Sequence, residues 1–512
     1  MQKSKLLSLL LSILFSLLPV PLFCQWLEET FPVGNNPWTL VYNSTNNKVY
    51  CANLYSDNVT VIDGASDSVI TIIRAGDAPW ALVYNSLNNK VYSANRASDN
   101  VTVIDGVTDS VITTIPAGDY PFALGYNSLY NKVYCVNENS DNVTIIDGAS
   151  DSVITTVPVG DRPFALVYNF NKNKVYCANA WSNTLTVIDG ASDSVITTIP
   201  VGYFPYDLIY NSMNKKVYSA NAGGDNVTVI NGETNSVITT VPAGDYPFAL
   251  VYNSLNNKVY CANGMNNNVT VIDGATDSVI TTVPAGDHPW ALGYNFTNNK
   301  VYCANAWSNT LTVIDGASDT VIKTIPVGYW PYALFYNSMN KKVYCANGGG
   351  DDITIIDGAT DTVIKTITVG GSPGAFAWNP FQNRTYVANY WSNTVSVIRD
   401  SMVQGIEENE IATPSARNDF VVYPNPAKGV IRVRLRRTES ASADEVRYPW
   451  SAEEQIEIKI FDVSGKMVKD IEIFRFAQND RMGDIKISLK GINPGIYFLR
   501  LGKETKKLLV VK

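Results

Sequence analysis

The chain has 512 residues, a formal net charge of -8 and a pI near 4.9, a balance that disfavours a nucleic-acid partner, whose phosphates call for a basic face. One histidine, His288, and no Cys-x-x-Cys pair argue against a metal centre built from nitrogen and sulfur ligands. Neither a Gly-rich phosphate loop nor a Gly-x-Ser-x-Gly elbow is present, so the motifs point to no cofactor and no catalytic residue.

In chain order, Lys3 and Lys5 precede an apolar run from Leu6 to Leu18, followed by Pro19 and Pro21. This predicts a secretory signal peptide over residues 1–24, cleaved near Cys24 and Gln25. No later stretch is long and apolar enough to span a bilayer.

Residues 25–399 are then filled by copies of one 42-residue unit, its tyrosine recurring at Tyr50, Tyr92, Tyr134, Tyr176, Tyr218, Tyr260, Tyr302, Tyr344 and Tyr386. A fixed period of this length marks a repeat architecture. In the copy from Pro163 to Phe204, four short apolar or alternating runs are bounded by turn residues: Phe164 to Tyr168 (a), Lys174 to Ala178 (b), Thr184 to Ile188 (c) and Val195 to Val201 (d). They read as four strands, too short for helices. Strand d recurrently ends in proline, as at Pro116, Pro158 and Pro200, which cannot donate to a ladder and belongs at an edge. The ninth copy lacks strand d, while Leu27 to Gly34 aligns with Val153 to Gly160 at a distance of 126 residues. The N-terminal segment is therefore expected to complete the last blade of an all-β propeller with nine four-stranded blades, and an eight-bladed ring with one displaced unit stays open. A longer period is also present, since Asn179 to Ser192 is repeated unchanged at Asn305 to Ser318.

The recurring Asn-Lys-Val-Tyr-Cys-Ala-Asn, followed by Asn-Val-Thr-Val-Ile-Asp-Gly, resembles the YVTN-type β-propeller repeat over residues 26 to 399. The resemblance implies the propeller fold and a surface-layer, periplasmic or secreted binding protein.

Residues 400–418, with Glu407, Glu408, Glu410 and Pro414, read as a linker. A different domain is expected over residues 419–512, with strands at Val430 to Leu435, Ile456 to Phe461, Met467 to Phe474, Ile485 to Leu489, Ile496 to Leu501 and Leu508 to Val511. Tyr423-Pro424-Asn425-Pro426, Phe461-Asp462-Val463-Ser464-Gly465-Lys466 and Pro494-Gly495-Ile496-Tyr497-Phe498 are together similar to the type A C-terminal sorting domain of the type IX secretion system. Polar inserts near Arg436 to Gln455 and Arg475 to Arg481 depart from that pattern. The similarity implies a small immunoglobulin-like sandwich, the type IX machinery as a partner, and a secreted or outer-cell-surface location after passage through the periplasm. Peripheral attachment to the outer membrane surface is compatible with it.

Function is sought where the copies differ. The cysteines Cys51, Cys135, Cys177, Cys261, Cys303 and Cys345 share one position of strand b, so they sit a blade apart and are expected as buried thiols rather than disulfides. The Asp-Gly turns after strand c recur in nearly every copy and read as Asx-type turns. In an up-and-down blade the a-b and c-d turns share one face, and these barely change. The b-c and d-a turns share the other face and vary. They place Tyr55, Arg96, Tyr120, Arg162, Trp181, Phe204, Tyr246, His288, Trp307, Trp330, Tyr390 and Trp391 there, a set rich in the residues that dominate binding hot spots. The position after the first proline of each copy, from Trp38 to Tyr332, is aromatic in eight blades and is expected to wedge between blades, a ligand-facing aromatic ring being the other reading.

These residues favour a non-catalytic secreted propeller that binds an extracellular glycan or protein on its variable face. Two other readings stay open. One is an extracellular lyase or hydrolase using carboxylates at the channel mouth, where Glu138 is the lone acid that stands out; the other is a passive surface-layer component.

Overall fold

The computed structural model describes residues 25–400 and seven strands between residues 420 and 510. The chain divides into two compact units between residues 405 and 406.

The first unit is a propeller of nine four-stranded antiparallel sheets. In blade 4 the strands are Pro163–Asn169, Lys174–Asn179, Thr184–Asp189 and Val195–Pro200, within a residue or two of the runs read from the sequence. Strands a of successive blades neighbour one another around the ring, and strand a of blade 1 meets those of blades 2 and 9. Strand a therefore lines the axis and strand d the rim, where its prolines remove donors from an exposed edge.

Closure follows the expected route. Trp26–Pro32 pairs antiparallel with Thr394–Arg399, the third strand of blade 9, so the two ends of the repeat region meet within one sheet. Phe31 is buried in that seam with Leu40, Ala377, Tyr386 and Val395. Glu28 accepts from Nε and Nη2 of Arg384 at 2.7 and 2.8 Å.

Each blade is too thin to bury either face alone, so the core lies between blades. Tyr176, Ala178, Leu185, Val187 and Ile199 of blade 4 pack on Leu208, Tyr210, Val217 and Ile230 of blade 5, and equivalent clusters fill the other seams. Burial of one such side chain is worth about 1.5–3 kcal/mol. A polar latch repeats beside this core. Lys258 Nζ and Tyr260 Oη of blade 6 both donate to the Asp319 carboxylate of blade 7 at 2.6 Å, and Lys48, Lys90, Lys216 and Lys300 meet the next blade's aspartate in the same way. Blade 9 closes the circle with Arg384 and Tyr386 on Asp67 of blade 1. The six cysteines are buried and unpaired, and burial pushes their thiols up.

In the second unit, Phe420–Tyr423, Val430–Leu435 and Asp484–Ser488 form a three-stranded sheet. Ile456–Asp462, Met467–Ile473, Gly495–Leu501 and Glu504–Val510 form a four-stranded one. Phe420–Tyr423 is the strand that the sequence reading missed, being only four residues long. The expected signal peptide, linker residues 401–418, the Pro-Asn-Pro run at 424–426, the turn at 463–466 and both polar inserts lie outside the described residues.

Candidate functional site

The two variable turns of each blade are joined. Leu54 N donates to Asn36 O at 3.0 Å, Ala180 N to Arg162 O at 2.9 Å and Ala222 N to Phe204 O at 2.8 Å, so every blade ends in one tip made of a d-a turn clasped by a b-c turn. The constant turns are joined on the opposite face, with Gly64 N donating to Asn47 O at 2.8 Å.

The central residue of the d-a turn has a left-handed backbone in every blade, with φ between 52° and 64° from Asn36 to Ser372. Asn or Asp is the ordinary occupant of such a position, and most left-handed positions of the other turns, such as Asn47, Asp57 and Asp67, follow that rule. In the d-a turn the same geometry is imposed on Tyr120, Arg162, Phe204, Tyr246, His288 and Trp330. A side chain with a Cβ costs roughly 1–2 kcal/mol in this conformation, and bulky residues there are genuine outliers.

The candidate residues fall into sectors rather than one pocket. In blades 2 to 4, the Arg96 guanidinium lies 3.9 Å from the Tyr120 ring centre and 4.3 Å from that of Trp80. Glu138 is held between Arg96 at 3.4 Å and Arg162 at 2.5 Å, and Arg162 also covers Trp181 at 4.5 Å. In blade 7, His288 stacks on Trp307 at 4.3 Å. At the closing seam, Tyr390 packs edge-on against Trp391 at 4.9 Å and Trp38 at 5.7 Å. Phe204 and Tyr246 stack instead on Tyr206 and Phe248 just inside the mouth. The outermost rings stand in solvent, with Tyr55, Trp181, Trp307 and Trp391 between 61% and 71% exposed and Trp330 at 49%.

Tyr203 and Tyr329, each 61% exposed, belong to this face and were missed in the sequence. Each lies over a glycine of its own blade's b-c turn: a Cβ on Gly223 or Gly349 would meet Cδ1 of Tyr203 or Tyr329 at 2.3 Å. The signal was the coincidence of Gly-Gly in one turn with Tyr-aromatic in the other, in blades 5 and 8 alone.

The aromatic residues at the start of strand a do wedge against one another, and together they form a collar. From Trp38 to Tyr332, successive ring centres lie 4.2 to 5.5 Å apart with interplanar angles of 29–37°, close to the rotation of about 40° between blades of a nine-membered ring. Each ring thus spends its faces on its neighbours and turns an edge to the channel. Gly374 opens the collar at blade 9.

Beneath the collar lies a second feature missed in the sequence. Asp207 stands where other blades have Ala or Thr. Its carboxylate accepts from Leu208 N at 2.9 Å and from Leu250 N of the next blade at 2.8 Å. Burial pushes its pKa up to about 6 against the pull of those two donors.

The opposite face also carries exposed apolar side chains. Its a-b turns end in Leu87, Leu129, Phe170, Met213, Leu255 and Phe296, between 54% and 68% exposed. Exposed apolar tips are therefore common to both faces, and only the left-handed aromatic positions set the variable face apart. Asn43 and Asn253, which open the constant turns, are fully buried and donate to Asn89 and Asn299 of the next blade at 2.7 and 2.8 Å.

Fold and sorting segment together define an exported β-propeller. The chain belongs to the YNCE-like beta-propeller family, whose model matches residues 33–340. Residues 421–512 match the secretion system C-terminal sorting domain, a type IX sorting domain, which directs the chain to the type IX machinery and to a secreted or cell-surface location. No curated protein matches the sequence. Among solved structures, the chain is similar to "Dihydro-heme d1 dehydrogenase NirN in complex with DHE", at 13% identity and a TM-score of 0.53, covering 68% of this chain and 81% of that one. It is also similar to Kuenenia stuttgartiensis Hydrazine Synthase, at 16% identity and a TM-score of 0.44, covering 72% and 96%. At this identity the first likeness speaks to the fold alone.

Proposed function

We propose that this secreted propeller is a non-catalytic binding protein that takes an extracellular glycan or protein on its variable face. The observation that supports this most is the left-handed backbone under Tyr120, Phe204, Tyr246, His288 and Trp330. Folding alone would place Asn or Gly there. Bulky residues kept at a backbone cost, on tips that point to solvent, are what a contact surface requires. The carboxylate alternative draws less support, because both oxygens of Glu138 are engaged by guanidinium groups.

The test is a glycan and extracellular-protein array on the full chain, followed by Trp181→Ala, Trp307→Ala and Trp330→Ala. Loss of one hot-spot ring costs roughly 2 kcal/mol of binding, about thirtyfold in affinity, while the melting temperature should barely move because these rings are 49% to 63% exposed. The matched control is Leu87→Ser with Leu255→Ser on the opposite face. If the control abolishes binding and the tryptophan variants retain it, the wrong face has been chosen.

A further inference from the structure

The wall of the central channel is backbone. Strand a is the inner edge of every sheet, so the N–H and C=O groups on its axial side have no ladder partner. Register says which groups these are. Leu208 opposes Ser219 and Leu250 opposes Cys261. Since both leucine N–H groups donate to Asp207, these pairs are the non-hydrogen-bonded ones of their hairpins. The same register recurs at Leu40, Leu82, Leu292 and Leu334, so a circle of amide donors faces the axis at one level. In seven of the nine blades that donor has no Asp207 to engage it, because the side chain at the Asp207 position is small.

Asp207 shows what such a pair of donors accepts. One carboxylate bridges two adjacent blades with bonds of 2.8 and 2.9 Å, a charge-assisted pairing. Above it, the collar turns ring edges to the channel, and the edge is the positive part of an aromatic quadrupole. The donors and the ring edges both offer positive dipole ends to an acceptor. The layers are two residues apart on strand a, about 7 Å, and nine collar positions at the observed spacing describe a circle about 14 Å across between ring centres. An acid on a slender stem passes; a folded domain does not.

We propose that the central channel binds the carboxylate of a slender organic acid, seated on the paired leucine N–H groups of adjacent inner strands as Asp207 is. The site is independent of the variable face, and its ligand enters through the collar.

The probes are hexanoate and adipate, with hexan-1-ol and hexylamine as uncharged and cationic counterparts, titrated into the full chain by calorimetry and saturation-transfer NMR. The acids should bind at least tenfold more tightly than either counterpart. Ala81→Asp, Ala291→Asp and Ala375→Asp together supply carboxylates that leave no adjacent pair of donors open, and acid binding should fall at least tenfold. Should the triple variant fail to fold, Ala375→Asp alone takes Phe376 N and Leu40 N from the middle of the open arc and should lower the number of acids bound. Asp207→Ala should bind the acids at least as well as the natural chain, and Trp307→Ala should not alter binding. Equal binding of hexanol and hexanoate, undiminished binding in a folded Asp variant, or loss of binding in Asp207→Ala would each overturn the proposal.

Discussion

Removing one latch carboxylate should cost far more than neutralising it. Asp319 is 5% exposed and serves two donors from the preceding blade, Lys258 Nζ and Tyr260 Oη. Asp319→Ala leaves the tyrosine hydroxyl, fully buried, without an acceptor, and leaves the ammonium only Gly316 O at 3.1 Å and Ala317 O at 3.4 Å. Breaking a buried pair from one side costs about 3–5 kcal/mol. The protein itself contains the milder change. In blade 5 the position is Asn235, and its Oδ1 accepts from Lys174 Nζ at 2.9 Å and Tyr176 Oη at 2.7 Å. Asp319→Asn keeps both bonds with a neutral acceptor and should cost about 1 kcal/mol. Guanidinium unfolding gives the two differences, and hydrogen exchange should place the loss of protection at the seam between blades 6 and 7. Equal destabilisation by Asn and Ala, or an Ala variant within 0.5 kcal/mol of the natural chain, would refute the latch.

Ring closure predicts that a chain beginning at Pro37 loses the strand that pairs with Thr394–Arg399; it should melt at lower temperature and aggregate through the bared edge, and an unchanged melting curve would exclude that closure. Stability should also fall as pH rises from about 4 to 7. Burial raises Asp67 and Asp207 from 3.8 to about 6 and Asp400 to about 7, so the folded state holds these protons more tightly, and their contribution is present below pH 4 and lost through the folded pKa. Each shift of two units is worth about 3 kcal/mol. Asp207→Asn should flatten part of the slope in melting temperature against pH, and an unaltered slope would show that Asp207 does not titrate in that window.

The repeat was legible because each blade is built from local signals: Val, Ile and Tyr runs of strand length, Asn and Asp at left-handed turns, and proline at the outer edge. Closure was legible too, since Leu27 to Gly34 carries the strand missing from the ninth copy. Direction of exposure, by contrast, belongs to the assembled ring. Trp38 and its seven counterparts read as wedges between blades or as an aromatic ring, and only the assembled propeller shows how closely their faces pack on one another. Leu87 and Leu255 sit in a turn that read as constant, and the turn geometry holds their side chains in solvent. Asp207 was overlooked because one acid in strand a has no local signature. It acquires two donors only when blades 5 and 6 come together, for the inner edges leave their amides unpaired and proximity between blades is fixed by the closing of the circle, not by neighbours in sequence.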